Sequence, residues 1–228
     1  MSAPEKAPGV PALRVSTATL GGIAALGFAV SVALQNFVFL LGVPEPGTDL
    51  GQAASWYAAN RGRAAAAGAL VGLNFPLLLV FAAMMRELGR ASEAGRRWMT
   101  LGTLGAAAMV GVFTVVTAGQ IAAVLFAEAG ATDAFAAVWV MHNAAFALTL
   151  PVLGTALLGF ALGAHAAGLT ATWQLPAGLV GATLLIGTGA ANTLVADGSP
   201  VIFVGFGGFA LWILWLAATG IGLLRRRS

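Results

Sequence analysis

The chain has 228 residues, of which 59% are hydrophobic and only 8% charged, against about 25% charged in an ordinary water-soluble domain. So few charges cannot cover a surface that faces water, which excludes a soluble globular fold and leaves lipid as the main solvent. Cysteine is absent, which excludes disulfides, thiolate metal ligands and thiol nucleophiles.

A helix needs roughly 20 apolar residues to cross the hydrocarbon core. The length therefore allows six spans with short connections, an all-α polytopic membrane helical bundle in a single domain over residues 1–228. In lipid each backbone N–H and C=O needs a partner within the protein, so such runs are helices. The first extends from about Ala18 to Gly42 and stops at Pro44-Glu45-Pro46. It is too long for the apolar part of a signal peptide and reads as an anchor. Between it and the next run, Thr48 to Asn60 predicts a short helix lying at the outer interface, with Thr48 as its N-cap and Leu50, Ala53, Ala54 and Tyr57 on one face. That helix serves either as a surface connector or as a lid. The remaining spans are expected at about 64–85, 99–127, 137–163, 176–196 and 201–224.

With the amino terminus inside, Lys6, Arg14, Arg86, Arg90, Arg96, Arg97, Arg225, Arg226 and Arg227 fall in the cytoplasm and only Arg61 and Arg63 outside. The positive-inside rule asks for that asymmetry, so both termini are expected to be cytoplasmic in a plasma (inner) membrane protein. The pI of 10.6 is explained by the same residues. No basic face interleaved with aromatics points to nucleic acid. Acidic Glu45, Asp49, Glu128, Asp133 and Asp197 gather on the outer side.

Polar groups at membrane depth are costly unless paired, so their positions are informative. Gln35 and Asn36 in the first span, Gln120 in the third, His142 and Asn143 in the fourth, and Asn192 in the fifth all fall in the outer third. Asn74 lies near mid-depth, two residues before Pro76. Phe135, Trp139, His142, Phe146 and Thr149 follow steps of four, three, four and three, which place them on one helical face. If that face points inward, His142 would meet Gln120 and Thr117, Asn192 and Thr188, and Gln35. Two outcomes stay open: an outward-opening cavity with acids at its mouth, or polar groups that only bond one another between helices.

Other chemistries are excluded. His142 and His165 stand 23 residues apart, about 35 Å of helix at 1.5 Å per residue, so they cannot share a haem or a metal ion. No carboxylate sits at mid-depth for a proton relay. No cofactor and no metal are expected. Trp212 and Trp215 lie too deep for an interfacial belt and read as core packing. The Gly159 and Gly163 pair would let helices approach closely.

The stretches AASWYAANRGRAAAAGALVGLNFPLLLVFAAMMREL (53–88), TWQLPAGLVGATLLIGTGA (172–190) and LWILWLAATGIGLLRRR (211–227) resemble an actinobacterial family of small six-helix integral membrane proteins of unknown function. The resemblance implies the architecture and supplies no activity. By size and topology the chain is also similar to membrane-embedded terpene cyclases, although that family's acidic motifs find no match here.

Three functions compete. In an isoprenoid or lipid cyclase, Glu128 would donate the proton, with Asp197 next in line; His142 would act as base or orienting group, and Trp139, Phe146 and Phe37 would face the cation. In a binding protein or small transporter, Gln35, Asn36, Gln120, Asn143 and Asn192 would line a site for a hydrophobic or amphipathic molecule from the membrane lipids, with a homo-oligomer serving a channel role. In the third, the chain is a non-catalytic subunit of a membrane complex.

Overall fold

The computed structural model describes residues 15–226, so the terminal charges Glu5, Lys6, Arg14 and Arg227 lie outside the described residues. Helix α1 (Thr17–Leu34) continues into a π-helical turn, Gln35–Phe39. After it come α2 (Leu50–Ala59), α3 (Arg61–Leu88) with a 3-10 turn at Gly89–Ala91, α4 (Glu93–Glu128), α5 (Thr132–Ala166), α6 (Gln174–Ala190), α7 (Asn192–Ala196) and α8 (Ile202–Arg225). No strand occurs among the described residues. Five helices are long and apolar enough to cross a membrane: α1 with its π turn, α3 with its 3-10 turn, α4, α5 and α8.

Three helices, α1, α2 and α4, start where the sequence offers caps. The Ser16 hydroxyl accepts from the Thr19 amide at 3.1 Å and Ser92 from Gly95 at 2.9 Å, each satisfying an N–H that the first turn leaves free. For α2 the cap is Asp49, which accepts from Gln52 at 3.1 Å, and not Thr48 as expected. The turns after α4 and α5 pass through Gly130 (φ 64°) and Gly168 (φ 65°), a left-handed conformation that glycine adopts without steric cost.

Helix lengths differ from the apolar runs in an orderly way. α3, α4 and α5 extend several residues past their apolar stretches, because a helix does not stop where hydrocarbon gives way to headgroups. The first run ends early instead: its helical part stops at Phe39 rather than Gly42. The run expected at 176–196 is divided. α6 has 17 residues, about 26 Å of helix against a core of about 30 Å, and a one-residue break at Ala191 separates it from α7.

Six helices close into a ring, each packed on its neighbours in the order α1, α3, α4, α5, α6, α8 and back to α1. Aromatic side chains fill its centre. Trp212 and Trp215 stack with ring centroids 6.4 Å apart. Phe160 also stacks with Trp212 at 6.4 Å, Phe28 meets Trp212 edge-on at 6.5 Å, and Phe81 meets Phe160 at 5.2 Å. Both tryptophans are wholly buried, in agreement with a core role.

The closest seam joins α4 to α5. A Cβ placed on Gly159 would fall 2.2 Å from the Gly102 backbone nitrogen, and one on Gly163 2.9 Å from that of Met99. The two backbones are thus in direct contact, which only glycine at these positions allows.

Charges sort by end. The Arg226 guanidinium donates to the Gly168 carbonyl and the Ser92 hydroxyl to that of Ala166, so the α3–α4 turn, the end of α5 and the end of α8 lie together. Among the described residues this end holds Arg86, Arg90, Arg96, Arg97, Arg225 and Arg226, and the other only Arg61 and Arg63.

Candidate functional site

The shared face read on α5 is present, and it turns inward. Phe135, Trp139 and Thr149 are buried, and His142 and Phe146 are half-buried on the same face. Helix α2 packs on this region from the end of the bundle. Tyr57 inserts against Phe135 at 6.1 Å and Trp139 at 5.9 Å, and Trp139 stacks on the His142 imidazole at 5.9 Å. Arg63 holds α2 from the side: it lies over the Trp56 ring at 5.9 Å and donates to the Leu41 carbonyl at 2.7 Å.

Burial pushes the Tyr57 phenol above its ordinary range, because a phenolate there would lose its hydration. A raised value means that the folded chain keeps its proton longer than the unfolded one. Stability is therefore full at neutral pH and declines once pH rises past about 10, where an unfolded tyrosine ionises. Tyr57 is the sole tyrosine, so phenolate absorbance reports it alone. The signal is expected to stay silent past the ordinary tyrosine midpoint and to appear together with unfolding. A reversible midpoint near that of free tyrosine, with the helix content intact, would show a solvated phenol instead.

The polar residues expected in the outer third do not converge on one cavity. Gln35 accepts a hydrogen bond from the Asn74 amide at 2.8 Å inside the α1–α3 contact. Asn36 donates back to the Val32 carbonyl of its own helix at 2.9 Å. His142 pairs through Nδ1 with the Val116 carbonyl of α4 at 2.9 Å, beside Gly119. Asn143 is buried, 100° further round α5 than His142. Asn192 begins α7 and is half-buried, and Asp197 is exposed at the end of that helix. Phe37 is exposed as well.

Gln120 belongs to a different feature. Gly119 faces α5, so Gln120, the next residue on α4, turns toward α3. There it lines an open groove of about 330 Å³. One wall is α3, with Arg61, Ala64, Ala65, Gly68 and Ala69; the other is α4, with Thr117, Gln120, Ile121, Val124 and Leu125. The alanines and glycine of α3 recess its surface, and no atom lies within 4 Å of where a Gly68 Cβ would stand. Arg61 closes one end, its Nη1 donating to both Glu128 oxygens at 3.1 and 3.0 Å. That ion pair is exposed, and such pairs contribute about 0.2–1 kcal/mol.

Of the expected site residues, the structure brings Gln120 and Glu128 to the groove, Gln120 as lining and Glu128 through Arg61, and Trp139 and His142 to the separate α5 stack. Sequence reasoning missed Arg61 and the small residues of α3. The available signal was position: Arg61 is one of two bases on the base-poor end, three residues ahead of a run of alanines. Among the described residues no group of three or more His, Asp or Glu side chains is arranged to hold a metal ion.

The fold and the apolar helices define a helical, multi-pass membrane protein. No protein-family model matches the chain, and no curated protein or solved structure is similar to it.

Proposed function

We propose that this protein crosses the plasma membrane six times with both termini in the cytoplasm, and binds an amphipathic molecule in the outward-facing α3–α4 groove without transforming it. α6 and α7 together supply the sixth crossing. The bases, six against two between the ends of the described chain, support the orientation.

The groove itself carries the binding reading. It is mostly apolar, offers one amide at Gln120 and ends in a guanidinium, the sequence of surfaces that an apolar tail with a polar head requires. Acid catalysis of the cyclase type has less support, since Glu128 is engaged on both oxygens by Arg61 and the groove opens sideways. Helix α2, wedged by Tyr57, fits a fixed outer connector better than a moving lid. The resemblance to the six-helix actinobacterial family is proposed for the architecture only.

Gly68→Leu tests this reading, because the added side chain has free space and occupies the groove. Native mass spectrometry of the detergent-solubilised protein is expected to find a retained amphiphile on the wild type and to lose most of it in the variant. Equal retention by both would remove the groove from the role.

A further inference from the structure

The groove reading leaves the nature of the polar head open, and the charges around Arg61 narrow it. Of the five N–H donors of a guanidinium, Arg61 spends those of Nη1 on Glu128, which leaves the Nη2 and Nε edge to donate elsewhere. Arg61 is also the more open partner, with its side chain 66% exposed against 30% for Glu128. A phosphate meets a guanidinium edge of this kind with good geometry.

The surroundings argue against a head with net negative charge. Among the described residues, Glu45, Asp49, Glu128, Asp133 and Asp197 share this end with only Arg61 and Arg63, so its field is negative and disfavours an anion. A purely cationic head would suit that field but would be repelled by Arg61 at contact. A head with both charges satisfies each half of the pair.

We infer that the Arg61–Glu128 pair selects a zwitterionic phospholipid with a primary ammonium, its phosphate on Arg61, its ammonium on Glu128 and one acyl chain along Gly68 and Gln120. A quaternary ammonium has no N–H to donate to the carboxylate, whereas a primary one has three. The groove, at about 330 Å³, is at the small end of ligand sites, which suits one chain rather than two. This inference rests on the groove being a binding site.

The test titrates delipidated full-length protein in detergent with phosphatidylethanolamine or phosphatidylglycerol of identical acyl chains, reading bound lipid by native mass spectrometry. Wild type is expected to prefer the ethanolamine lipid about three- to tenfold, a modest ratio because the pair is exposed. Glu128→Gln should abolish that preference, and Gly68→Leu should weaken both lipids alike. Equal binding of the two lipids, preference for the glycerol lipid, or a preference that survives Glu128→Gln would overturn the headgroup assignment while leaving the groove intact. If Gly68→Leu changes neither lipid, the groove itself is wrong and the headgroup assignment falls with it.

Discussion

Replacing Gly159 by leucine is expected to destabilise the protein at the upper end of the overpacking range, about 3 kcal/mol, and to lower its yield in membranes sharply. The nearest atoms to the new Cβ are the Gly102 nitrogen at 2.2 Å, its Cα at 2.6 Å and the Trp98 carbonyl oxygen at 2.8 Å. All three are backbone, which cannot rotate away as a side chain can, so α4 and α5 must separate along their seam. In lipid that loss is serious, because close packing takes the place of the hydrophobic force that joins helices in water. Gly111→Leu is the control, since a side chain there meets no atom within 4 Å and should leave the apparent Tm unchanged. A Gly159→Leu protein as stable as this control would contradict the packing described for α4 and α5.

The second large effect is expected at Trp212. Its ring stacks with both Trp215 and Phe160 and is touched edge-on by Phe28, so it joins α8 to α1 and α5 at the centre of the helix ring. Trp212→Ala removes all three contacts and leaves a cavity in the core, at a cost of about 3–5 kcal/mol. Trp212→Phe should cost much less. It keeps an aromatic face for both stacks, and it deletes an indole N–H that is buried without a partner, which offsets part of the lost contact area. Thermal unfolding in detergent distinguishes the two: a large drop in apparent Tm for alanine and a small one for phenylalanine. Equal drops would mean that neither the aromatic face nor the volume that phenylalanine keeps contributes to stability.

Which parts of this architecture are legible in the sequence follows from what lipid demands. Long apolar runs must be helical, so the existence of the long helices could be read directly. The ends could not, because hydropathy marks where the surroundings are hydrocarbon and the helix continues beyond that limit. The break at Ala191 was also hidden, since it falls within an apolar stretch where only Asn192 departs from the pattern.

The site illustrates a different difficulty. Counting residues along a span gives an expected depth, and yet Gln35, expected in the outer third, bonds Asn74, expected near mid-depth. Contact depends equally on direction around the helix. One residue, a rotation of 100°, separates Gly119 facing α5 from Gln120 facing α3. The π turn adds a residue to its turn, with the Leu40 amide donating to the Gln35 carbonyl at 2.9 Å, and so shifts the direction of the residues beyond Gln35. On α5 the stepwise pattern placed five residues on one face but left its direction open, and the structure turns that face inward. The recessed wall of the groove is made of alanine and glycine, which carry no polar signal and are noticed only once α4 stands beside them.

Photolabelling tests the central claim, that the α3–α4 groove holds an amphiphile, most directly. A phospholipid with a diazirine in its acyl chain would be incorporated into vesicles with the full chain, irradiated, and its adducts mapped by peptide mass spectrometry. The prediction is that adducts concentrate on residues 64–69 and 117–125, and that Gly68→Leu removes them. Adducts spread evenly over outward-facing positions such as Leu104, Val140 and Leu214, with no excess in the groove, would contradict it.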